Sequence, residues 1–354
     1  MTDEIQLCRS FQTTPAATAG ENSAKYLDSA SRQEGLAIPD WFSPDLEDST
    51  PPQMKAEGRR NIVDFIEANP NFKGSIRPRI NWAYYDVDEG TSMGNVKEQG
   101  EEDIRYLIEH VGDHLDGFVV PKIGRVENAE RAAAVIADAE AEFGYEENTF
   151  EMCPIIETTK ALSDLREIGI FASSTPRFNV FIWGPGDYTF DIGGRIDGSL
   201  FPDWLSIKET ISNEASANDL LCVGGPYPEI YRVKGGQRYY NGDGYASYVE
   251  QEIEIGYDGS WALHPNQTVQ ANRLHTPSEE DLRGMIRRLN LYNEQEDAGS
   301  LLVDGQMIDV GMLKHWVRMI KKILAICDKY EAQAEELYTD EVIEEARAIV
   351  EVGV

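Results

Sequence analysis

The sequence predicts a (β/α)₈ barrel, an α/β TIM barrel, followed by a C-terminal helical lid segment. Eight short apolar runs alternate with helical patterns before residue 275. Most of these runs are continuously apolar, which is typical of parallel strands buried on both faces. Eight strand–helix units are the number that closes such a barrel. After residue 275 the pattern changes, so we predict a catalytic barrel over residues 1–275 and a separate segment over 276–354.

The eight predicted strands follow one another along the first domain. They are IQLCRSF (5–11), DWFSPDLED (40–48), SIRPRIN (75–81), DGFVVPK (116–122), EMCPIIE (151–157), FNVFIWG (178–184), LLCVGG (220–225) and DGSWALHP (258–265). A plausible helix follows each strand; the helix after the second starts at a pair of prolines, and the helix after the fourth ends at Gly144.

The last part of the chain has a different organisation. Residues 277–297 are predicted to be helical, and SLLVDGQMID (300–309) predicts a loop or a short hairpin. A long helix is predicted to start at Asp309, because apolar residues recur on one helical face. These residues are Leu313, Trp316, Val317, Ile320, Leu324 and Cys327.

The charge balance is strongly acidic, with 63 acidic and 32 basic residues and a net charge of −31. The acids are spread along the chain, so we favour an acidic surface adapted to very high salt over binding to a basic partner. Nucleic acid is disfavoured because phosphate binding needs a basic surface. The four cysteines form no CxxC pair, and no apolar stretch is long enough for a membrane span or a signal core. We therefore predict a cytoplasmic protein that does not bind membranes.

Charged residues stand at several predicted strand ends, where barrels of this class carry their chemistry. Glu47, Arg79, Lys122, Glu157 and Asp187 all occupy such positions. Grouped carboxylates repel one another unless a cation neutralises them, and oxygen ligands of this kind suit Mg²⁺. Arg79 can then bind a carboxylate or an oxyanion. The alternative interpretation is that these acids are helix caps or ordinary surface residues of an acidic protein.

Seven stretches carry a resemblance to a known family, and they cover most of the chain in order. They are PDLEDSTPPQMKAEGRRNI, RPRIN, GFVVPKIGRVENAE, PIIETTKAL, FIWGPGDYTFDIGGR, GYDGSWALHPNQ and DGQMID. Together they resemble the malyl-CoA/β-methylmalyl-CoA lyases of the citrate lyase β-subunit-like (HpcH/HpaI aldolase) superfamily. The stretch SFQTTPAATAGENSAKYL also resembles the haloarchaeal malate synthases of that superfamily, which indicates a haloarchaeal type.

The resemblance implies a Mg²⁺ site, with Mn²⁺ as an alternative ion, and a reaction of a CoA thioester and glyoxylate. It implies Glu157 and Asp187 as metal ligands, with Glu47 and Asp48 holding water around the ion. Arg79 would stabilise charge on oxygen, and Asp304 would be the catalytic acid/base. It also implies a homotrimer or homohexamer in which the lid is exchanged between subunits. The predicted substrate contacts are Gly184, Pro185 and Gly186 for the glyoxylate carboxylate, and Arg9, Lys25 and Lys122 for the CoA phosphates.

Three functions compete at this stage. The leading hypothesis is a lyase that cleaves β-methylmalyl-CoA to propionyl-CoA and glyoxylate and reversibly cleaves malyl-CoA to acetyl-CoA and glyoxylate. The second is a malate synthase, which condenses acetyl-CoA with glyoxylate and then hydrolyses the thioester. The third is a non-enzymatic acidic interaction protein, which predicts no dependence on Mg²⁺. Arg79, Glu157, Asp187 and Asp304 are all present and argue against it.

Overall fold

The computed structural model describes residues 5–18, 25–82, 96–195, 201–295, 299–303 and 305–352, with the backbone alone for 96–98 and 352. The chain forms two compact units. The larger unit is Cys8–Asn272, and the smaller unit combines Met1–Leu7 with Arg273–Val354.

Among its described residues, the larger unit contains eight parallel strands and one antiparallel hairpin. The parallel strands are β1 (Ser10–Pro15), β2 (Trp41–Asp45), β3 (Ser75–Ile76), β4 (Gly117–Val120), β5 (Glu151–Ile156), β6 (Val180–Trp183), β7 (Leu221–Val223) and β10 (Ser260–Ala262); the hairpin is β8 (Tyr231–Lys234) with β9 (Gln237–Tyr240). Hydrogen bonds join β10–β1–β2–β3 and β4–β5–β6–β7 into two sheets. Parallel bridges from Arg79 to Val119 and from Val223 to Gly259 join these sheets at both edges, which closes the ring of eight strands. The predicted α/β barrel is confirmed.

Helices connect the strands in the order that the barrel requires. They are α1 (Lys25–Ala30), α2 (Lys55–Ala68), α3 (Val96–Val111), α4 (Val126–Phe143), α5 (Thr159–Ser163), α6 (Leu165–Ser173), α7 (Pro185–Asp191), α8 (Leu205–Ala217), α9 (Gly242–Glu254) and α10 (Pro265–Leu274). Helix α4 ends at Gly144, whose φ of 82° is the left-handed conformation that glycine adopts without a steric cost.

Successive side chains along each strand point alternately into the barrel interior and toward the layer between the sheet and the helices. In β5, Cys153 and Ile155 pack inside the ring, whereas Met152 and Ile156 pack against the helices. Because successive strand residues point to opposite faces, Glu157 continues the inward row of Cys153 and Ile155. The strand therefore ends on an acid because its next inward position lies at the mouth of the barrel.

The first strand differs from its prediction. It covers Ser10–Pro15 and not residues 5–11, so polar side chains take the place of the expected apolar run. These side chains are buried but hydrogen-bonded: Thr268 donates to Gln12 over 2.6 Å, and the Trp261 indole donates to Thr13 over 2.7 Å. A buried polar group that has a hydrogen-bond partner costs little free energy. A prediction based on apolar residues therefore placed this strand too early in the chain.

The β8–β9 hairpin was absent from the sequence prediction. Gly235 and Gly236 form its turn with φ values of 59° and 79°, the left-handed pair that a two-residue hairpin turn requires. The Gly-Gly pair between two aromatic and β-branched runs was the signal for this hairpin.

The smaller unit has its own apolar core. Its elements are α11 (Glu279–Asn293), β11 (Ser300–Val303), β12 (Gln306–Asp309), α12 (Val310–Lys329), α13 (Glu331–Leu337) and α14 (Asp340–Val352). Strands β11 and β12 form an antiparallel hairpin, one of the two predicted alternatives. The Asp309 carboxylate caps α12 by accepting from the Met312 amide over 3.0 Å, and Leu313, Ile320 and Leu324 enter the core as predicted. No helix in the described part of the chain is long and apolar enough to cross a membrane.

Candidate active site at the carboxyl ends of the strands

Four of the predicted residues make direct contacts at the carboxyl ends of β2 to β5. Glu47 follows β2, Arg79 follows β3, Lys122 follows β4 and Glu157 follows β5. The Arg79 guanidinium lies 3.2 Å from Glu47, and the Lys122 amide donates to Glu157 over 2.7 Å. The barrel thus brings together charges that are far apart in the chain.

Asp45, the last residue of β2, holds Arg79 in place. Arg79 Nε lies 2.7 Å from Asp45 Oδ1, and Nη2 lies 2.6 Å from Oδ2, which is a two-point ion pair. Burial alone would raise the pKa of Asp45, but the charge and hydrogen bonds of Arg79 lower that pKa below its usual value. Asp45 was not among the predicted site residues; its signal was an acid at an inward position of a strand, two residues before Glu47.

Lys122 links the acids of two loops. Its ammonium group contacts the Glu47 carboxylate and lies 2.8 Å from Asp48 Oδ2. Its φ is 50°, a left-handed conformation that is uncommon for a lysine and often marks a functional position. This conformation accompanies the hydrogen bond from its own amide to Glu157. Burial alone would lower the pKa of Lys122, but the charges of Glu47, Asp48 and Asp187 raise that pKa above its ordinary value.

Lys55 fixes the loop that carries Glu47. This lysine lies on α2, and its Nζ binds the carbonyl oxygens of Leu46 over 2.5 Å and Glu47 over 2.6 Å. These two hydrogen bonds fix the backbone of the loop at Leu46 and Glu47.

Negative charge at the site exceeds what the nearby cations compensate. Glu157 is only 2% exposed, and burial raises its pKa well above the ordinary value, with Asp187 and Glu47 adding to the increase. Burial also raises the pKa of Glu47 to about 7, although Arg79 and Lys122 act against this shift. A buried group of acids with raised pKa values is the electrostatic environment that a bound cation stabilises.

Gly184 leaves the space that Glu157 occupies. A Cβ atom at position 184 would lie 2.5 Å from Glu157 Cβ and 2.7 Å from Glu157 Oε2. No real Cβ atom approaches other atoms so closely, so only glycine fits here. Pro185 then begins α7, and Asp187 lies half-buried in its first turn.

The residues present fit a magnesium ion held by few protein ligands. Within the residues that the structure describes, no group of three or more His, Cys, Asp or Glu side chains is placed to hold a metal ion. Mg²⁺ commonly takes one or two carboxylates and keeps water or substrate oxygens in its other positions. Glu157 and Asp187 are two carboxylates at this end of the barrel whose charges interact.

One of the predicted CoA contacts is wrong, and a second has acidic partners. The Arg9 guanidinium is fully buried and is bound to Asp40 by hydrogen bonds of 2.9 and 2.8 Å, so it is not available to a phosphate. The Lys122 ammonium contacts Glu47 and Asp48, and its contact with a CoA phosphate stays a prediction. Lys25 is exposed at the start of α1, and its role stays a prediction. Asp304 lies outside the described residues.

A comparison of the whole sequence decides the family. The chain is 43% identical over 348 residues to an L-malyl-CoA/β-methylmalyl-CoA lyase of Haloarcula marismortui. The aligned region covers 97% of this chain and 98% of that protein. Residues 93–265 match the HpcH/HpaI aldolase/citrate lyase family. The chain belongs to that family. Its resemblance in sequence is therefore confirmed, and the protein is an enzyme of the lyase class.

Malate synthases are also relatives of this HpcH/HpaI family member. An apparent malate synthase of Haloarcula marismortui is 33% identical over 278 residues, covering 77% of this chain and 61% of that protein. Among solved structures, a magnesium and glyoxylate complex of Haloferax volcanii malate synthase is similar, with a TM-score of 0.69 and 28% identity. That likeness covers 100% of both chains.

Proposed function

We propose that this HpcH/HpaI family enzyme is a Mg²⁺-dependent lyase that cleaves β-methylmalyl-CoA to propionyl-CoA and glyoxylate. It would also cleave malyl-CoA reversibly to acetyl-CoA and glyoxylate. The observation that carries the proposal is the contact group of Glu47, Arg79, Lys122 and Glu157 at the barrel mouth. The 43% identity to a protein of this named activity supports the choice of substrates.

Glu157 and Asp187 are proposed to hold the ion, and Glu47 and Asp48 to accept hydrogen bonds from water around it. Mn²⁺ is proposed as an alternative to Mg²⁺. A bound Mg²⁺ would stabilise negative charge on the substrate oxygen at the carbon that becomes the aldehyde of glyoxylate. The backbone of Gly184, Pro185 and Gly186 is proposed to bind the glyoxylate carboxylate.

Arg79 is proposed to stabilise negative charge as the carbon–carbon bond breaks. Asp45 binds Nε and Nη2, which form one edge of the Arg79 guanidinium group. This ion pair fixes the direction of the remaining N–H groups. A donor that is already oriented loses no free energy to reorganisation during the reaction. Burial would lower the pKa of Arg79, but Asp45 and Glu47 raise it, so Arg79 keeps its charge throughout.

Asp304 is proposed to exchange the proton on the thioester fragment. In cleavage it would protonate the enolate of propionyl-CoA or acetyl-CoA at carbon, and in condensation it would remove that proton. Assembly as a homotrimer or homohexamer with lid exchange is part of the proposal, as is an acidic surface suited to high salt.

The test is glyoxylate release from β-methylmalyl-CoA and malyl-CoA, with and without EDTA. We expect release from both thioesters and its loss in EDTA, with recovery on addition of Mg²⁺. Release that persists in EDTA after exhaustive dialysis, or no release from either thioester, would contradict the proposal.

Malate synthase activity is the second candidate, favoured by the 33% identity to an apparent malate synthase. The two activities differ in the fate of the thioester. Acetyl-CoA and glyoxylate incubated with the enzyme and a thiol reagent release free CoA if the enzyme is a malate synthase. A lyase forms malyl-CoA and releases no thiol.

A further inference from the structure

Three consecutive residues attach the loop after β5 to the segments on either side of it. Glu157 accepts the Lys122 amide over 2.7 Å, and the Thr158 hydroxyl donates to the Ile123 carbonyl over 2.8 Å. Both contacts are made with the segment that follows β4. Thr159 contacts α7, which follows β6. Because β4 and β6 are the two neighbours of β5 in the sheet, the loop is held from both sides.

The contact with α7 is made by Thr159 and Asp191. The amide and the hydroxyl of Thr159 both donate to Asp191 Oδ2, each over 2.6 Å. Hydrogen bonds to a carboxylate are stronger than those between neutral groups. Thr159 is half-buried and Asp191 is exposed, so the contact adds little to the burial of the core. Its effect is on the relative position of the two segments that it joins.

These two segments carry the proposed metal ligands. Glu157 lies two residues before Thr159, and Asp187 lies four residues before Asp191 on α7. Residues four apart on a helix lie on the same face, one turn from each other. Little chain therefore separates either carboxylate from the Thr159–Asp191 contact.

The same two segments also meet at the start of α7. Gly184 precedes this helix, and a Cβ atom at position 184 would lie 2.5 Å from Glu157 Cβ. The loop after β5 therefore contacts α7 at both ends, through Gly184 at the first turn and through Asp191 at the last. A helix held at one end can still pivot about that contact, whereas a second contact at the other end prevents the rotation.

Fixing the separation of Glu157 and Asp187 matters because their charges repel each other. The Asp187 charge contributes to the raised pKa of Glu157. Like charges move apart unless the fold holds them, and Mg²⁺ needs its oxygen ligands in a near-octahedral arrangement at about 2.0–2.1 Å. Residues that orient metal ligands without touching the ion commonly change metal affinity about 10–100-fold.

We propose that Thr159 and Asp191 are positioning residues of the metal site, which set the separation of Glu157 and Asp187 before the ion binds. Neither residue touches the ion or the substrate in this proposal; both act through the segments that carry the ligands. The inference rests on the proposed function, because that function assigns Glu157 and Asp187 to the ion.

The test measures the affinity of the metal-free enzyme for Mg²⁺ by calorimetric titration. Thr159→Val removes the hydroxyl while charge and side-chain size are kept, and it is expected to raise the Kd for Mg²⁺ about 3–10-fold. Thr159→Ser keeps the hydroxyl and is expected to bind Mg²⁺ as the wild type does. Thr210→Val is the matched control, because the Thr210 hydroxyl makes an exposed hydrogen bond to the Ser206 carbonyl within α8.

A double-mutant cycle separates the contact from the charge of Asp191. Asp191→Ala removes both hydrogen bonds and also one negative charge near the ion, so its loss of affinity has two causes. If the contact is responsible for the effect of Thr159→Val, that substitution causes no further loss in the Asp191→Ala background. Equal losses in the two backgrounds would overturn the inference, because Thr159 would then act independently of Asp191.

Kinetics and unfolding distinguish an effect on the metal site from an effect on the fold. In Thr159→Val, the Mg²⁺ concentration that gives half-maximal glyoxylate release is expected to rise by the same factor as the Kd, and by more than kcat changes. The urea midpoint in EDTA is expected to equal that of the wild type. A lower midpoint with unchanged Mg²⁺ affinity would overturn the inference and assign Thr159 a purely structural role.

The outcomes also separate this inference from the proposed function. Equal Mg²⁺ affinity in the wild type, Thr159→Val and Asp191→Ala would overturn the inference, whatever the activity. Weaker Mg²⁺ binding by Thr159→Val without glyoxylate release from any thioester would support the positioning role and overturn the proposed reaction. A wild type that binds no Mg²⁺ would overturn both.

Discussion

Asp45 binds Arg79 at two points, with Nε 2.7 Å from Oδ1 and Nη2 2.6 Å from Oδ2. Both side chains are at least 90% buried, so each depends on the other for neutralisation. The Asp45 carboxylate also accepts the amide of Glu47 over 2.8 Å. One acid therefore orients both the cation proposed to act on the substrate and the loop that carries Glu47.

Asp45→Asn is expected to lower both stability and activity. Removing one partner of a buried ion pair costs about 3–5 kcal/mol, and a misdirected Arg79 is expected to lower kcat about 10–100-fold. Urea unfolding and the glyoxylate-release assay measure the two effects. Glu102→Gln is the control, because Glu102 pairs with Arg59 at an exposed position and its loss is expected to cost less than about 1 kcal/mol. Equal behaviour of the two variants would refute the role of Asp45.

Glu157→Gln is expected to remove the response to Mg²⁺. An ion that binds the folded state alone raises the midpoint of thermal unfolding, and this increase should be present in the wild type and lost in the variant. The measurement is thermal unfolding in EDTA and in excess Mg²⁺. Asp138→Asn, at an exposed position of α4, is expected to respond as the wild type does. A full Mg²⁺ response in Glu157→Gln would exclude this acid as a ligand.

Gly184→Ala is expected to displace Glu157, because the added Cβ would lie 2.7 Å from its Oε2. A displacement of about 1 Å at a metal ligand is expected to reduce kcat/KM at least about 100-fold. Gly299→Ala is the control, since nothing lies within 4 Å of its Cβ position. Steady-state kinetics of both variants test the prediction, and an unimpaired Gly184→Ala would show that the close approach is not needed.

Asp304→Asn is expected to lower kcat about 10²–10⁴-fold while Mg²⁺ binding is kept, because the substitution removes a proton-transfer group and no metal ligand. Exchange of the acetyl-CoA methyl protons in deuterium oxide with the enzyme and a glyoxylate analogue provides a direct measurement. Asp309→Asn, the neighbouring helix cap, is the control for structural effects. Undiminished exchange in Asp304→Asn would assign the base to another residue.

Glu252 on α9 is expected to make stability depend on pH. The side chain is fully buried, and burial raises its pKa from 4.5 to about 8. Since the folded value is the higher one, the stabilisation is complete below pH 4.5 and is lost as the pH rises through 8. The loss is expected to be on the order of 2–4 kcal/mol in the wild type and absent in Glu252→Gln.

Denaturant unfolding at several pH values from 5 to 9 measures this dependence. Glu250→Gln changes an exposed acid on the same helix and is expected to keep the wild-type profile. A profile of Glu252→Gln that parallels the wild type would contradict the assignment.

The amino-acid pattern was sufficient for the barrel and for the type of site. Eight apolar runs separated by helical patterns indicated the strands, because parallel strands buried on both faces need continuous apolar residues. The acids and bases at strand ends were visible as charges that interrupt these runs. Local pattern failed for β1 and for the β8–β9 hairpin, since the first strand buries hydrogen-bonded polar residues and the second is exposed.

The sequence alone did not predict which charged side chains pair with each other. Three basic residues that look alike in the sequence have different partners in the structure. Arg9 is bound to Asp40, and Arg79 is bound to Asp45. Lys122 contacts Glu47 and Asp48. Closure of the barrel selects these partners, because it brings strand ends together that are separated by tens of residues. Burial then sets the electrostatics, as when the pKa of Glu157 rises at a position 2% exposed. The residue types and their order therefore determine the fold class and the chemical groups that are present. The distances between side chains and their burial in the closed ring determine which of these groups are free to act.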